Sequence, residues 1–340
     1  MTHSTEIRTK RREFLDLLDR ARAEIHKEIL GLDDLTSVAI MCLIAPGRKQ
    51  RDPCGGNLLI EGAHGLGKTE FIKTTLGKVF GLKTSRIQFT VDLDPASITG
   101  SMVQDPSTKE LMFRPGPLFA NLVLADEITR APGKTQSRLF EGMAEGTVTE
   151  EGITHELPRP FVVFATTNIA EEIGAVLYEL PVGQRDRFFS SIRVEPLPEE
   201  LERRLYARPT IVGAEEPKQI FDVTKIKEIS SFIADNYPIL EGSPMNDYMT
   251  RLVRATRIER SVLYGASHRA GIDLARASQT MAFLADDDMV TEEHVLKTFE
   301  PVMRLRIMLM QIYDESYTDR RSVEEILSDI VDQTQLFRVV

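Results

Sequence analysis

The chain has 340 residues, of which 42% are hydrophobic and 28% are charged, so it can bury a substantial globular core. Its net charge of −10 excludes a global positive field of the kind that draws proteins to nucleic acid or to anionic membranes. No apolar run approaches a membrane span, and Cys42 and Cys54 lack the spacing of metal or redox sites. We therefore expect a cytoplasmic protein with reduced thiols and protein partners, without membrane insertion and with no nucleic acid partner.

The first predicted elements are two helices. Residues 12–29 carry an apolar stripe at helical spacing with charge on the other face, which indicates a helix that docks on the rest of the protein. Residues 35–45 are apolar almost all round and predict a buried helix, which the polar segment 46–56 ends. The stripe of the first helix consists of Phe14, Leu15, Leu18, Ala21, Ile25 and Ile29.

The middle of the chain alternates short apolar strands with helices, which indicates an α/β fold with a parallel sheet covered on both faces. The predicted strands are residues 57–63, 86–91, 122–127, 161–168 and 191–198, and the predicted helices are 68–79 and 134–145. Beyond residue 198 the helical patterns are 199–208, 223–237, 247–262, 268–285 and 291–311. We therefore expect an α/β domain over residues 1–198, a helical domain over 199–311 and a C-terminal tail over 312–340, with a boundary near Pro198. The tail contains one amphipathic helix with Val323, Ile326, Leu327 and Ile330.

The segment GAHGLGKT, residues 62–69, matches the phosphate-loop pattern GxxxxGK[ST] between a predicted strand and a predicted helix. Its glycines let successive backbone amides point at phosphates, and the helix adds its positive dipole end. We expect Lys68 to hold the β- and γ-phosphates of ATP and Thr69 to ligate Mg²⁺. A glycine-rich turn without function is the alternative, and the downstream carboxylates argue against it. The predicted nucleotide contacts in this segment are Gly62, Gly65, Leu66, Gly67, Lys68, Thr69 and Glu70.

Two further predicted strands end in polar residues that suit hydrolysis. The strand LVLADE ends in Asp126 and Glu127, which should lie beside the phosphate loop at the carboxyl edge of the sheet. Asp126 is placed to reach the Mg²⁺ shell and Glu127 to polarise the attacking water. The strand FVVFATTN ends in Asn168, which can orient that water. Paired acids or an Asn at a strand end are often plain turn residues, but the nearby phosphate loop favours the catalytic interpretation.

Four runs of sequence resemble the MoxR-type AAA+ ATPases. They are GLGKT (65–69), FTVDLDPASITG (89–100), GPLFANLVLADEITRAPGKTQSRLFEGMAEGTVT (116–149) and GASHRAGIDLARASQTMAFL (265–284). The resemblance extends from about Gly31 to Met308. It implies a P-loop NTPase αβα sandwich with a helix 2 insert, an all-α lid, a homo-oligomeric ring that is commonly hexameric, and ATP-driven action on other proteins. The family commonly works beside proteins with von Willebrand factor A domains, so such a protein is a candidate client.

The resemblance also assigns roles to individual residues. Lys68 and Thr69 match Walker A, Asp126 and Glu127 match Walker B, Asn168 matches sensor 1, Arg187 in QRDRF matches the arginine finger, and Arg269 in GASHRA matches sensor 2. Arg185 replaces an apolar residue of the family beside the finger and leaves the choice between the two arginines open. Ser267 can N-cap a helix that begins at His268, which would hold Arg269 in the first turn, pointed from the lid toward the phosphates.

The segment between Asp92 and Gly116 is longer than a strand-to-helix connection requires. In relatives this helix 2 insert and the hairpin near residues 146–157 face the pore of the ring and its partners. The chain departs from the family at four positions: His64 and His268 stand where relatives usually have Pro, Glu70 replaces a common Thr, and Arg185 replaces an apolar residue. His64 could contact a phosphate or be a tolerated substitution.

Three functions are compatible with these patterns. The first is an ATPase that remodels or matures a partner protein. The second is a nucleotide-dependent scaffold or switch with little turnover, against which the complete set of Glu127, Asn168 and Arg187 argues. The third is a nucleic-acid motor, which the net charge and the absence of a basic stripe with interleaved aromatic residues disfavour.

Overall fold

The structure is a computed structural model that describes residues 3–49, 52–63, 65–107, 109–168, 177–207, 216–313 and 318–334. His64 and the last part of the predicted tail, residues 335–340, lie outside the described residues. The strands in chain order are β1 (Pro46–Lys49), β2 (Asp52–Cys54), β3 (Leu58–Glu61), β4 (Thr84–Gln88), β5 (Gly100–Gln104), β6 (Leu111–Pro115), β7 (Leu122–Asp126), β8 (Thr147–Glu150), β9 (Ile153–Glu156), β10 (Val162–Thr167), β11 (Ser190–Arg193), β12 (Val262–Tyr264) and β13 (Met308–Leu309).

The helices precede, separate and follow the strands of the sheet. They are α1 (His3–Glu28), α2 (Asp33–Ile44), α3 (Lys68–Glu70), α4 (Gly77–Val79), α5 (Ala96–Thr99), α6 (Gly133–Glu145), α7 (Val182–Arg185), α8 (Glu199–Tyr206), α9 (Val223–Asn236), α10 (Pro244–Ile258), α11 (His268–Leu284), α12 (Glu292–Met303), α13 (Met310–Tyr313) and α14 (Val323–Gln333). A π-helical segment, Phe71–Leu76, joins α3 to α4 and completes the helix predicted over residues 68–79. Short 3₁₀ turns lie at Ile128–Arg130 and Arg304–Arg306.

Five parallel strands form the central sheet in the order β11-β3-β10-β7-β4. All five residues of β7 are buried, as expected for a strand covered on both faces. Side chains alternate between two hydrophobic clusters: Leu122 and Leu124 belong to one, and Val123 and Ala125 belong to the other. This period of two places helices on both faces, so the predicted αβα sandwich is confirmed.

The larger hydrophobic cluster continues from the sheet into the helical domain that follows it. Phe283 of α11 and Phe299 of α12 belong to the same cluster as Leu58 of β3. The predicted docking helix, α1, buries Phe14 and Leu18 in this cluster. The α/β core and the helical domain therefore share one apolar interior, which gives the helical domain a defined place against the sheet. The domain boundary near Pro198 stays a prediction.

The helical domain differs from its predicted form in two places. The helices predicted at 247–262 and 291–311 end earlier, at Ile258 and Met303. After them, β12 and β13 form a short antiparallel pair, so the lid is helical but not all-α. Strands of two or three residues are too short to show an alternation of apolar and polar residues. The helices were therefore predicted to continue through them. The pair formed by β1 and β2 within the polar segment 46–56 was missed for the same reason.

Two antiparallel hairpins project next to the sheet. The pair β5–β6 occupies the predicted insert, and the pair β8–β9 is the hairpin predicted near residues 146–157. The rings of Phe113 and His155 stack with their centroids 3.8 Å apart, so the two hairpins contact each other. Leu111 and Met112 of β6 are exposed at 65% and 51%, although both are apolar.

Both cysteines are free thiols, as expected from their spacing. Cys42 and Cys54 are buried, and burial raises the pKa of Cys54 to about 12. A thiol with such a pKa is protonated and unreactive at neutral pH, so both residues serve as packing groups. Among the helices that the structure describes, none combines the length and the apolar character that a membrane crossing requires.

Candidate active site

The phosphate loop leaves β3 at the carboxyl edge of the sheet and enters α3. Gly65 and Gly67 have φ angles of 79° and 76°, in the left-handed region that favours glycine. A Cβ at either position would meet no atom within 4 Å, so the loop borders open space. Gly67 is the cap residue of α3 and offers no side chain to its first amides. Uncapped amides at a helix start, next to open space, form a suitable site for phosphate.

Lys68 lies under this loop with only 8% of its surface exposed. Its Nζ donates a hydrogen bond to the carbonyl oxygen of Gly62. Gly62 therefore contacts the predicted phosphate-binding lysine through its backbone. Burial lowers the pKa of Lys68, whereas the nearby carboxylates of Asp126 and Glu127 raise it. The structure thus brings the predicted lysine and the two predicted acids into one electrostatic group.

Asp126 lies at the end of β7, and both oxygens of its carboxylate accept hydrogen bonds. Its Oδ1 accepts a hydrogen bond from Thr166 Oγ1 at 2.6 Å, and its Oδ2 accepts one from Thr69 Oγ1 at 3.3 Å. Arg86 of β4 donates to the same Oδ2 at 2.7 Å. The hydroxyl and carboxylate oxygens of Thr69 and Asp126 are hard ligands of the type that Mg²⁺ prefers, and they are already adjacent. These two residues therefore fit the metal that the sequence predicted.

Glu127 follows β7 in a left-handed conformation, with φ 57° and ψ 49°, which costs a non-glycine residue about 1–2 kcal/mol. The turn brings its carboxylate to three donors: Gln88 Nε2 at 3.1 Å, Arg130 Nε at 3.0 Å and Asn168 Nδ2 at 3.2 Å. Strained residues of this kind concentrate at functional sites. The contact with Asn168 places the predicted base next to the predicted water-orienting residue.

A cavity of about 450 Å³ lies between the phosphate loop and the strand ends, within the size range of small-molecule sites. Its lining includes the residues predicted for the phosphate loop, Walker B and sensor 1 except Gly62, and it adds three residues that sequence reasoning missed: Arg86, Gln88 and Thr166. Gln88 is the register partner of Asp126 in the sheet, so strand pairing was the signal that could have identified it. The lining residues are Gly65, Leu66, Gly67, Lys68, Thr69, Glu70, Arg86, Gln88, Asp126, Glu127, Thr166 and Asn168.

A second pocket, of about 340 Å³, lies at the opposite, amino edge of the sheet. It is lined by residues 55–57 before β3, by Phe161 before β10 and by the end of α6. Four arginines also line this pocket, which we name the arginine pocket: Arg48, Arg187, Arg269 and Arg276. Two of them, Arg187 and Arg269, are the predicted finger and sensor 2, and neither lies with the predicted hydrolytic residues of the same chain.

Arg187 is held at this pocket by α6. Its Nη1 donates to the carbonyl oxygen of Phe140, and its guanidinium lies 5.8 Å from the centroid of the Phe140 ring. Burial and the charge of Arg269 lower the pKa of Arg187. Arg185 is also half-buried, but the charges that act on it are those of Glu179 and of Glu61 at the carboxyl end of β3. Arg187 lines the arginine pocket, and Arg185 does not.

Arg269 lies in the first turn of α11, as predicted. The side chain of Ser267 accepts a hydrogen bond from the backbone N–H of Ala270 at 3.2 Å and caps the helix. We expected Arg269 to point toward the phosphate loop of its own subunit. Instead, it lines the arginine pocket at the amino edge of the sheet. Helical periodicity could predict the cap but not the edge of the sheet against which the lid packs.

Comparison with known proteins assigns this architecture to a family. Residues 57–190 match the model of the ATPase family associated with various cellular activities, and residues 254–330 match the AAA lid domain. The chain is 34% identical to chaperone MoxR1 of Mycobacterium tuberculosis, over 95% of this chain and 83% of the relative. The chain belongs to the MoxR-type AAA+ ATPases. It is also 33% identical to the uncharacterized protein YeaC of Bacillus subtilis, over 94% of this chain and 95% of that one.

A solved structure shares the whole architecture. The crystal structure of a candidate ATPase from Cytophaga hutchinsonii superposes with a TM-score of 0.85 at 29% identity, over 98% of this chain and 99% of that chain. The match of the lid model to residue 330 extends past residue 311, where the sequence prediction ended the lid. Ile326, Leu327 and Ile330 of α14 are buried in the larger cluster, and α14 packs against α10 and α12. The lid model thus covers most of the tail helix α14.

Proposed function

We propose that this chain hydrolyses Mg²⁺-bound ATP in a head-to-tail ring, hexameric as the family resemblance implies, in which each subunit completes the active site of its neighbour. Turnover would remodel, activate or mature a partner protein. The observation that carries the proposal is the placement of the hydrolytic residues and the arginine pair at opposite edges of one sheet. Family membership supports the ATPase activity itself.

Strand β10 gives the distance between the two edges. Phe161, before the strand, lines the arginine pocket, and Asn168, after it, lines the nucleotide cavity. A strand rises about 3.3 Å per residue, so these two residues are separated by roughly 20 Å. This separation exceeds the reach of an arginine side chain. It supports action of Arg187 and Arg269 on ATP that is bound by a different subunit.

The charge distribution supports the same packing. The arginine pocket concentrates four guanidinium groups in a chain whose net charge is −10. The nucleotide cavity of a second copy would offer the complementary surface, with Glu70, Asp126, Glu127 and a bound triphosphate. An interface between two different surfaces of identical chains is heterologous, and its repetition closes a ring when the rotation is suitable.

Each residue then has a defined task in phosphoryl transfer. Lys68 and the first amides of α3 hold the phosphates, and Thr69 and Asp126 hold the metal, which neutralises phosphate charge when bound. Glu127 polarises the attacking water. The finger Arg187 and the lid residue Arg269 come from the neighbour and stabilise the charge that develops on the transferred phosphoryl group.

Mixing two inactive variants tests this function. Lys68→Ala subunits lose the ATP site but keep Arg187, whereas Arg187→Ala subunits bind ATP but lack the finger. We expect neither variant alone to hydrolyse ATP at an appreciable rate, and we expect their mixture to recover activity, measured as phosphate release. Native protein taken through the same mixing steps is the control. A mixture that stays inactive while this control is active contradicts intersubunit catalysis.

The hairpin β5–β6 supports the action on a partner protein. Leu111 and Met112 of β6, next to the second hairpin, each expose more than half of their apolar surface. We expect Leu111→Ser combined with Met112→Ser to leave basal ATP hydrolysis unchanged and to prevent the Glu127→Gln variant, in ATP, from retaining client protein in a pull-down. Met289→Ser, which alters an equally exposed lid residue, is the matched control. Undiminished retention of clients by the double variant would contradict a role of this surface.

The nucleotide-dependent scaffold remains the second candidate, favoured by one observation: the carboxylate of Glu127, the predicted base, is already engaged by three donors. The mixing experiment separates it from the ATPase, since a scaffold would show no recovered turnover. A cytoplasmic location and a von Willebrand factor A domain protein as client are further proposals that rest on the sequence and the family resemblance alone.

A further inference from the structure

Asp186 lies directly before Arg187 in the chain and connects the nucleotide-binding core with the lid. Its Oδ1 accepts hydrogen bonds from Ser267 Oγ at 2.7 Å and from Arg306 Nε at 3.1 Å. Its Oδ2 lies 3.9 Å from Nη1 of Arg269. Ser267 and Arg269 belong to the start of α11, and Arg306 follows α12. One carboxylate of the core therefore contacts the lid at three residues.

Arg306 strengthens this connection from the lid side. Its side chain is only 1% exposed, and its Nη1 donates to the carbonyl oxygen of Phe189 at 3.3 Å. Its Nη2 donates to the carbonyl oxygen of Phe188 and to Asp273 of α11. A buried guanidinium needs partners for all of its charge and donors, and these partners come from both domains. The chain segment that carries the finger is thus bonded to the lid along its length.

Arg187 and Arg269 need such a connection because their like charges repel each other. Arg269 lies near enough to Arg187 to lower the pKa of Arg187, and one residue belongs to the lid while the other belongs to the core. A movement of the lid would relieve the repulsion by separating the two guanidinium groups. Asp186 directly precedes Arg187 in the chain, and its carboxylate lies 3.9 Å from Arg269, so its negative charge holds the lid arginine close to the core segment that carries Arg187.

We propose that Asp186 is a positioning residue that holds Arg187 of the core and Arg269 of the lid together, so that both reach the same phosphate group of the neighbouring subunit. The inference rests on the proposed intersubunit function and adds to it a named residue that sets the alignment of the two arginines. Its charge, and not only its hydrogen bonds, is essential, because it attracts Arg269 and pairs with the buried guanidinium of Arg306.

The test compares Asp186→Asn with Asp186→Glu. Asparagine keeps the shape and one acceptor but removes the charge, and we expect it to lower kcat by about 10²-fold, the cost of misplacing a catalytic group by about 1 Å. The affinity for ATP, measured with a fluorescent analogue, should stay native because the nucleotide cavity is at the other edge. Glutamate restores the charge and should recover part of the lost kcat.

Subunit mixing separates positioning from a general structural role. Asp186→Asn subunits keep an intact nucleotide cavity, so a mixture with Lys68→Ala subunits should recover activity. A mixture with Arg187→Ala subunits should not recover it, because both variants then fail in the same task. The matched control is Asp319→Asn, which also removes a carboxylate that pairs with an arginine, Arg321, and with a serine hydroxyl, but which lines neither the arginine pocket nor the nucleotide cavity. This control should retain native kcat.

Each outcome decides the inference. Native kcat in Asp186→Asn overturns it, and so does a kcat for Asp186→Glu no higher than that for Asp186→Asn. Failure of Asp186→Asn to complement Lys68→Ala indicates a general structural role and overturns it as well. If Arg187→Ala and Lys68→Ala fail to complement each other, the intersubunit function itself is wrong. Complementation by that pair together with normal Asp186 variants would overturn the positioning role alone.

Discussion

Replacing Arg187 by alanine should lower kcat for ATP hydrolysis by about 10³–10⁵-fold, the measured worth of an arginine finger, and leave the affinity for ATP unchanged. The reason is geometric: Arg187 borders the arginine pocket at the amino edge of the sheet, remote from the phosphate loop of its own chain. Removing it therefore affects the transition state in the neighbour without altering the nucleotide cavity. Steady-state phosphate release and binding of a fluorescent ATP analogue measure the two quantities separately.

Arg185→Ala is the matched control for this prediction. It removes an arginine of the same segment, but one whose charge interacts with Glu61 and Glu179 of its own chain. We expect a much smaller fall in kcat and no recovery of activity when Arg185→Ala is mixed with Lys68→Ala. If the larger loss and the recovery belong to Arg185→Ala, the finger is Arg185 and the assignment of Arg187 is wrong.

Lys68→Ala and Glu127→Gln should both abolish turnover, but at different steps. Lys68 holds phosphate charge, so its removal should prevent ATP binding. Glu127 acts on water, so Glu127→Gln should bind ATP with native affinity and lower kcat by roughly 10²–10⁴-fold, the usual contribution of a general base. The amide oxygen can still accept from Gln88 and Arg130, while the amide nitrogen replaces the oxygen that accepts from Asn168, so only that contact must rearrange.

Lys78→Ala controls for the loss of a lysine from the same helical segment, because Lys78 pairs on the surface with Glu216. It should bind and hydrolyse ATP like the native protein. Native turnover in Glu127→Gln would show that another residue is the base. Native ATP affinity in Lys68→Ala would contradict the assignment of the phosphate loop.

Local patterns in the sequence were sufficient to predict which residues meet at the carboxyl edge of the sheet. A glycine-rich loop between an apolar strand and a helix has few backbone solutions, and the ends of parallel strands meet at one edge. Lys68, Thr69, Asp126, Glu127 and Asn168 therefore come together as predicted. The αβα architecture followed from the same alternation of buried strands and amphipathic helices.

Contacts between segments that are distant in sequence could not be predicted from such local patterns. Arg86 and Gln88 reach Asp126 and Glu127 only because β4 pairs with β7 in a particular register. That register is a property of the sheet, since either strand alone shows only alternation.

The sequence by itself thus determined the nucleotide-binding half of the site, because that half is built from contiguous motifs whose backbone conformation is local. Only the tertiary structure decided where Arg187 and Arg269 lie, because Arg187 is placed by its contact with α6 and Arg269 by the packing of the lid against the core. Asp186 connects the core to the lid by accepting hydrogen bonds from Ser267 and Arg306, which are both distant from it in sequence. Long-range packing of this kind sums many weak contacts and leaves no periodic signal in the chain.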